Sequence, residues 1–430
     1  MNILSQSSTT SNSTYYLGTK SPYLYKKGKQ TPPPCGYEPF YINYLGRHGS
    51  RYLESTDKLI YLIEVLQKNK KAENLTDAGN YLLNYLQQQE ILQRNKYGGL
   101  TPAGAETMKS IARRMYQKYP KVFGKKVYAE STYVQRAIDS MFVFINELFL
   151  YTASENFIIY SNGEIDPLLR FFDLNLEYKA YKASNWWTPL IKEHFRCSDP
   201  SKQISQQFFI TPVSEYTMTN FAPSLFDVLT EAYGITTPPM SPIDVLHAYY
   251  TNQELCHYWE VNNLDTFYST GPSGKGIMLP TNISFALLRN FIETSNTAIQ
   301  SANVSANLRF AHAETIIPFA SLLNLPCCSK QTNILSHVAE IWRDFEVAPM
   351  AANLAWIFYK NPECNDILVK MTYNEEEICF PFPSAHSPYA TWEDVQSYYY
   401  AILDSLNIDT SLNVVDQVTY YQVNEEQERC

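Results

Sequence analysis

The chain has 430 residues, of which 45% are hydrophobic and 18% charged, enough for a sizeable core and too apolar for global disorder. Its net charge of −9 excludes a nucleic-acid binder that works through overall charge, so any anion site must be a local cluster of cations. The most apolar stretch, residues 141–153, contains Asn146 and Glu147 and falls short of the roughly 20 apolar residues of a membrane span, so no membrane partner is expected.

Residues 1–38 read as an irregular arm, rich first in Ser, Thr and Asn and then in Lys and Pro. Its start has neither the basic nor the apolar region of an export signal. Residues 40–45 are aromatic and β-branched and read as a buried strand that runs into Arg47-His48-Gly49-Ser50-Arg51. Ser55-Thr56-Asp57 offers a cap for a helix whose apolar stripe is Leu59, Ile60, Leu62, Ile63 and Leu66. Two more helices are expected near 78–93 and 103–119, the second opened by Thr101-Pro102. A strand over 126–131, a helix over 133–151 and a short strand over 157–160 follow. Residues 165–300 have a different texture, rich in Trp, Tyr and Pro, with helical stretches near 224–233 and 241–262. Strand–helix alternation then returns: strand 307–311, helix 314–323, strands 367–373 and 378–382, and a helix near 392–406. The pattern reads as an α/β core, residues 39–164 and 301–430, interrupted by an inserted, mainly α-helical cap domain over 165–300. Eight cysteines without a CxxC pair make a zinc ribbon or thioredoxin-type site unexpected. Cys327 and Cys328 read as buried free thiols, with disulfides of an exported protein as the alternative.

Three clusters carry chemistry. In Arg47-His48-Gly49-Ser50-Arg51, two guanidiniums and an imidazole follow a strand directly, with a helix start close behind. That is where α/β folds place ligands, and permanently charged forked donors suit phosphate oxygens. His48 is the candidate nucleophile or base. Phe310-Ala311-His312-Ala313-Glu314 likewise follows a strand and opens a helix, so a parallel sheet could bring the two histidines together. Glu130-Ser131-Thr132-Tyr133-Val134-Gln135-Arg136 puts Arg136 one turn into a post-strand helix. Arg136 is either a third guanidinium of the site or a surface residue paired with Asp139.

Arg-His-Gly-x-Arg, a later Ser-Thr-x-x-x-Arg and a distal His-x-carboxylate resemble the histidine acid phosphatase family. The distal His-Ala-Glu is similar to the branch of multiple inositol polyphosphate phosphatases, which includes some phytases. Leu17-Gly18-Thr19-Lys20-Ser21-Pro22-Tyr23 and Leu100-Thr101-Pro102-Ala103-Gly104 agree with that branch. Leu53 departs from it, standing where many members have proline. The resemblance implies a mostly parallel central sheet flanked by helices, a Rossmann-like histidine phosphatase core, beneath the inserted helical domain.

For function, the resemblance implies hydrolysis of phosphomonoesters of inositol polyphosphates such as inositol hexakisphosphate (phytate), with no metal or other cofactor. His48 would become a phosphohistidine, Arg47, Arg51, Arg136 and His312 would bind phosphoryl oxygens, and Glu314 would serve as acid and then base. It also implies an extracellular, periplasmic or secretory-pathway location. A densely anionic substrate on a protein of charge −9 requires a focused cleft. Lys20, Lys26, Lys27 and Lys29 of the arm are candidates to line it, with a solvated basic arm as the alternative. The insertion would roof the cleft, and its His194, His247 and His257 read as structural. A broad-specificity acid phosphatase, a phosphoglycerate-mutase-like phosphotransferase and a non-catalytic inositol phosphate binder are the rival readings.

Overall fold

The structure, a computed structural model, describes residues 12–28, 30–235 and 241–423. Eight strands form one sheet: β1 (Glu38–Arg47), β2 (Lys126–Ser131), β3 (Phe157–Ser161), β4 (Val304–Ala311), β5 (Asn353–Lys360), β6 (Ile367–Tyr373), β7 (Glu376–Ile378) and β8 (Tyr389–Thr391). The order is β3-β2-β4-β1-β5-β6-β7, with β8 also on β6. β3, β2, β4 and β1 are mutually parallel. β5 runs against β1 and β6 against β5, so β6 returns to the common direction. Helices flank this sheet, as expected of an α/β core.

The register brings three strand ends to one edge. Arg47 of β1 is level with Ala311 of β4, and Ser131 of β2 with Phe310. The three motifs therefore leave the sheet side by side, at the carboxyl ends of parallel strands.

β2 and β6 lie where the sequence places them. Several elements differ from expectation, the short unanticipated β8 among them. β5 was not anticipated, although Leu354 to Tyr359 are all nearly inaccessible. The helix expected over 241–262 is two, Pro242–Tyr249 and Asn252–Ser269. Thr251 and Glu254 build a capping box there, so a new helix starts instead of the old one continuing. The strand expected over 378–382 begins and ends earlier, as β7. Asn374 and Glu375 both take positive φ in a tight hairpin turn, and Pro381 and Pro383, which lack an N–H, stop further pairing.

No strand interrupts the described residues between 171 and 301, but hydrophobic packing crosses the bounds of the expected insertion. One cluster joins the sheet residues Tyr41, Leu45 and Trp356 to Phe171, Trp187, Phe267 and Phe291. Another joins Leu59, Leu62 and Leu86 of the helices Asp57–Lys71 and Asp77–Gln93 to Phe208, Phe221, Phe226 and Trp259. Among the described residues no helix is long and apolar enough to cross a membrane. The seven described cysteines are free, and Cys430 lies outside the described residues. Cys328 is buried, but its neighbour Cys327 is exposed, with the two Sγ atoms 3.4 Å apart.

Candidate active site

His48 is almost fully buried at the end of β1. Its Nδ1 lies 2.8 Å from the Gly49 carbonyl, which can only accept, so Nδ1 carries the proton. The lone pair is then on Nε2, where it accepts from Arg136 Nε at 3.0 Å. Burial first, then the charges of Arg47, His312 and Arg136, push the imidazole well below its ordinary pKa, so it stays neutral and basic at Nε2.

Backbone packing fixes this loop. The helix Pro102–Lys118 starts against it: Thr101 N–H and Oγ1 both donate to the Ser50 carbonyl, at 2.8 and 3.0 Å. Thr101 Oγ1 in turn accepts from Gly104 N–H at 3.1 Å, capping the helix. A Cβ on Gly49 would lie 2.6 Å from the Gly104 carbonyl oxygen, so the two glycines permit backbone-to-backbone contact. This gives the Leu100-Thr101-Pro102-Ala103-Gly104 stretch a physical role. Leu53, at the position where proline was expected, donates its N–H to Gln93 Oε1 at 3.0 Å, a bond no proline can make.

Arg47 is held from the other side. Its Nη1 donates to the carbonyls of Thr19 and Ala348, at 2.5 and 2.6 Å, and its buried Nε has no partner among the described residues. Burial lowers its pKa to about 10, with Glu314 opposing and Arg51 and Arg136 assisting, so it remains a cation. Thr19 is set by the buried Asp344, which accepts from Thr19 N–H at 3.0 Å and Trp259 Nε1 at 2.9 Å. Gly18 takes φ +57, and a Cβ there would lie 2.6 Å from Asp344 Oδ2. The Leu17–Tyr23 stretch is therefore a strap that aims Arg47.

Arg51 donates from Nη1 to the Tyr52 carbonyl at 3.1 Å and from Nη2 to Glu54 at 3.1 Å and Glu231 at 3.4 Å. Arg136 turns inward to His48 and Glu54, and Asp139, its alternative partner, is bonded to Gln135 instead.

His312 is 1% exposed, with its ring centroid 5.5 Å from that of His48. Its Nε2 accepts from Arg170 Nη1 at 3.0 Å and lies 2.9 Å from Thr132 Oγ1. An arginine can only donate, so His312 carries its proton on Nδ1, a buried donor with no partner among the described residues. Burial, then the charges of Arg136, Arg170, Arg47 and Arg51, hold this imidazole too well below its ordinary pKa. Glu314 opens the helix Ala313–Leu322 with an exposed side chain whose charge is felt by Arg47 and Arg136. The site thus assembles Arg47, His48, Arg51, Arg136, His312 and Glu314. Its unpartnered buried donors, Arg47 Nε, His312 Nδ1 and Arg170 Nε, suit an anion with several oxygens.

The arm lysines fare differently. Lys20 lines a cavity of about 330 Å³ beside the arginines, with Glu54, Lys58, Asp227, Glu231 and Asp265. Lys26 pairs with Glu376 at 3.3 Å, in a cavity whose lining includes no residue of the three chemistry-bearing clusters. Lys27 is exposed, and Lys29 lies outside the described residues. His194 and His257 pack on either side of Phe195, remote in chain and contact from the motifs. Sequence reasoning missed Glu54 and Arg170. Glu54 sits within the first motif's loop. Arg170 gives only a weak signal, a lone arginine between Leu-Leu and Phe-Phe after a short strand.

Comparison with known proteins identifies relatives of this chain. The model of the histidine phosphatase superfamily (branch 2) matches residues 41–374. Multiple inositol polyphosphate phosphatase 1 of Homo sapiens is 22% identical over 345 residues, covering 72% of this chain and 67% of the relative. The protein of the same name from Gallus gallus is 21% identical over 435 residues, covering 92% and 91%. The crystal structure of the Bifidobacterium longum multiple inositol polyphosphate phosphatase in complex with inositol hexasulfate superposes with a TM-score of 0.76 at 20% identity, covering 90% of this chain and 97% of that one. The phytase from D. castellii gives a TM-score of 0.65 at 15% identity, covering 96% and 89%. At these identities the two structures establish a shared fold.

Proposed function

We propose, from the premise that this chain belongs to the histidine phosphatase superfamily (branch 2), that it is a phosphatase removing phosphates from inositol polyphosphates through a phosphohistidine on His48. One observation carries the assignment. His48 Nε2 is held unprotonated and directed at Arg136, with the charge of Arg47 close by and the His312 ring 5.5 Å away between centroids. A nucleophile with its lone pair inside a cluster of fixed cations suits phosphoryl transfer, in which positioning and electrostatics do most of the catalysis.

In the first step, Nε2 bonds to phosphorus as the bond to the ester oxygen breaks. Arg47, Arg51, Arg136 and His312 hold the three non-bridging oxygens, and Arg136 exchanges its bond to Nε2 for one to oxygen. Glu314 gives its proton to the departing inositol oxygen, which would otherwise leave as a poor alkoxide leaving group. In the second step, Glu314 takes a proton from water, whose oxygen displaces His48 and releases phosphate. Arg170 supports this cycle by fixing the tautomer of His312.

Inositol polyphosphates are favoured as substrates by the His-Ala-Glu motif and by the names of the relatives. A broader monoester specificity is favoured by the acidic lining of the adjacent cavity, with Asp227, Glu231 and Asp265. Export of the protein follows from the same resemblance and is tested by fractionating the producing cell.

The deciding experiment follows phosphate release and product identity from inositol hexakisphosphate in the wild type, His48→Ala and Glu314→Gln. His48→Ala is expected to be inactive. Glu314→Gln is expected to lose kcat/KM for inositol esters far more than for p-nitrophenyl phosphate, whose leaving group needs no proton, while the later water step slows for both. Normal turnover by His48→Ala removes the mechanism, and isomerised product without free phosphate converts the assignment to a mutase.

A further inference from the structure

Glu54 stands three residues after Arg51, between β1 and the helix Asp57–Lys71. Its two carboxylate oxygens hold two different guanidiniums. Oε2 accepts from Arg51 Nη2 at 3.1 Å, and Oε1 accepts from Arg136 Nη2 at 3.0 Å. The exposures are unequal: 7% for Arg51 and 16% for Arg136, against 56% for Glu54. The carboxylate therefore reaches in from solvent onto two largely desolvated cations. Two anionic oxygens bridging two guanidiniums present what two oxygens of a phosphoryl group would present to the same donors. The need for such an anion is visible in the site. Arg47, Arg51 and Arg136 repel one another at one sheet edge, and close cations without a counter-charge are costly.

We propose that Glu54 is a tethered competitor for the phosphate cradle, which each phosphate-bearing ligand must displace from Arg51 and Arg136. The proposal rests on the phosphatase reading of the site. Release of Glu54 demands little, because the side chain is more than half exposed and sits on a loop. The cost falls alike on orthophosphate and on phosphate esters, because both must take the same two donors from Glu54. Glu54 thereby weakens the hold of the cradle on substrate and on released phosphate together. It acts by occupying the groups that bind phosphate, so it tunes affinity and takes no part in bond making.

The test titrates inorganic phosphate calorimetrically into the full chain and into Glu54→Gln, Glu54→Ala, Arg136→Ala and the Glu54→Gln/Arg136→Ala double variant. Phosphate inhibition of p-nitrophenyl phosphate hydrolysis is measured alongside. Both Glu54 variants are expected to bind phosphate roughly tenfold more tightly, about 1.4 kcal/mol, with the inhibition constant and KM falling. Glu54→Gln is expected to gain much less in the Arg136→Ala background, where one of the contested donors is gone. Unchanged or weaker phosphate binding in both Glu54 variants overturns the proposal and makes Glu54 an organiser of the arginines, while the phosphatase reading stands. A wild type that neither binds phosphate nor hydrolyses the ester removes that reading, and the proposal with it.

Discussion

The backbone contact behind the loop of His48, the proposed nucleophile, makes Gly104→Ala a sharp test. A Cβ on Gly104 would lie 2.6 Å from Ser50 N and closer still to the Ser50 carbonyl oxygen. Ordinary contact begins near 3.4 Å, so the two backbones must separate by at least about 0.8 Å. Neither atom belongs to a flexible side chain, so the movement falls on the chain between Gly49 and Arg51, next to His48. Two effects oppose each other in stability. Alanine is favoured over glycine within a helix by up to about 1 kcal/mol. Overpacking costs about 1–3 kcal/mol. The net loss is therefore about 0–2 kcal/mol, and the melting temperature should fall by no more than a few degrees. Activity has no such compensation, because a displacement approaching 1 Å at a reacting group costs up to roughly a hundredfold. The expected result is a folded protein whose kcat falls roughly ten- to a hundredfold, read from phosphate release beside a thermal melt. A Gly104→Ala protein with wild-type kcat refutes the claim that this contact positions the nucleophile.

Other consequences are equally specific. His48 is held well below 6.5 by burial and by the arginines, so its neutral form persists into acid. The acid limb of kcat/KM should lie well below pH 6.5, within a bell centred below neutrality; an optimum above about pH 8 contradicts Glu314 as the acid. The same depressed pKa makes stability pH-dependent: the unfolded chain takes up the proton first, so stability falls as pH drops below about 6.5. His48→Asn should flatten that slope, by at most about 1.4 kcal/mol per pH unit, in urea melts at stepped pH. Asp344→Asn leaves one of two N–H donors, Thr19 N or Trp259 Nε1, facing an amide NH₂, at a cost of about 1–3 kcal/mol. It should also lower kcat/KM by loosening the strap on Arg47, and unchanged stability and activity would contradict the strap.

The sequence carried most of the site because the chemistry sits at strand ends, where a periodic apolar run stops and polar residues begin. β2 ends at Ser131 and β4 at Ala311, and each is followed at once by its motif. What escaped has identifiable physical causes. β5 is buried on both faces, so it lacks the alternation that marks a half-buried strand. Its antiparallel direction has no local signature at all. The contacts that aim Arg47 go to the carbonyls of Thr19 and Ala348, and a carbonyl looks the same on every residue. Lys26 was drawn to the cleft by charge alone, but its partner Glu376 is distant in sequence and visible only once β7 is in place. Arg170 became readable only through His312, whose Nε2 it occupies.

These observations explain how a chain of net charge −9 can hold a phosphate site without a generally basic surface. Arg47 is directed by carbonyls, which fix a guanidinium without cancelling its charge. Arg51 and Arg136 share the carboxylate of Glu54, which stands toward solvent, so its neutralisation of them is reversible. Both histidines are kept neutral by burial and then by the arginines they neighbour, which leaves one lone pair at His48 Nε2 and, among the described residues, one unpartnered N–H at His312 Nδ1. Each cation is therefore either poised or exchangeable, and the acidity beyond the adjacent carboxylates acts at long range, where salt screens it. It follows that raising ionic strength should weaken substrate capture less than Arg47→Lys does. The lysine keeps the charge but loses the fork that reaches two carbonyls and a phosphoryl oxygen at once.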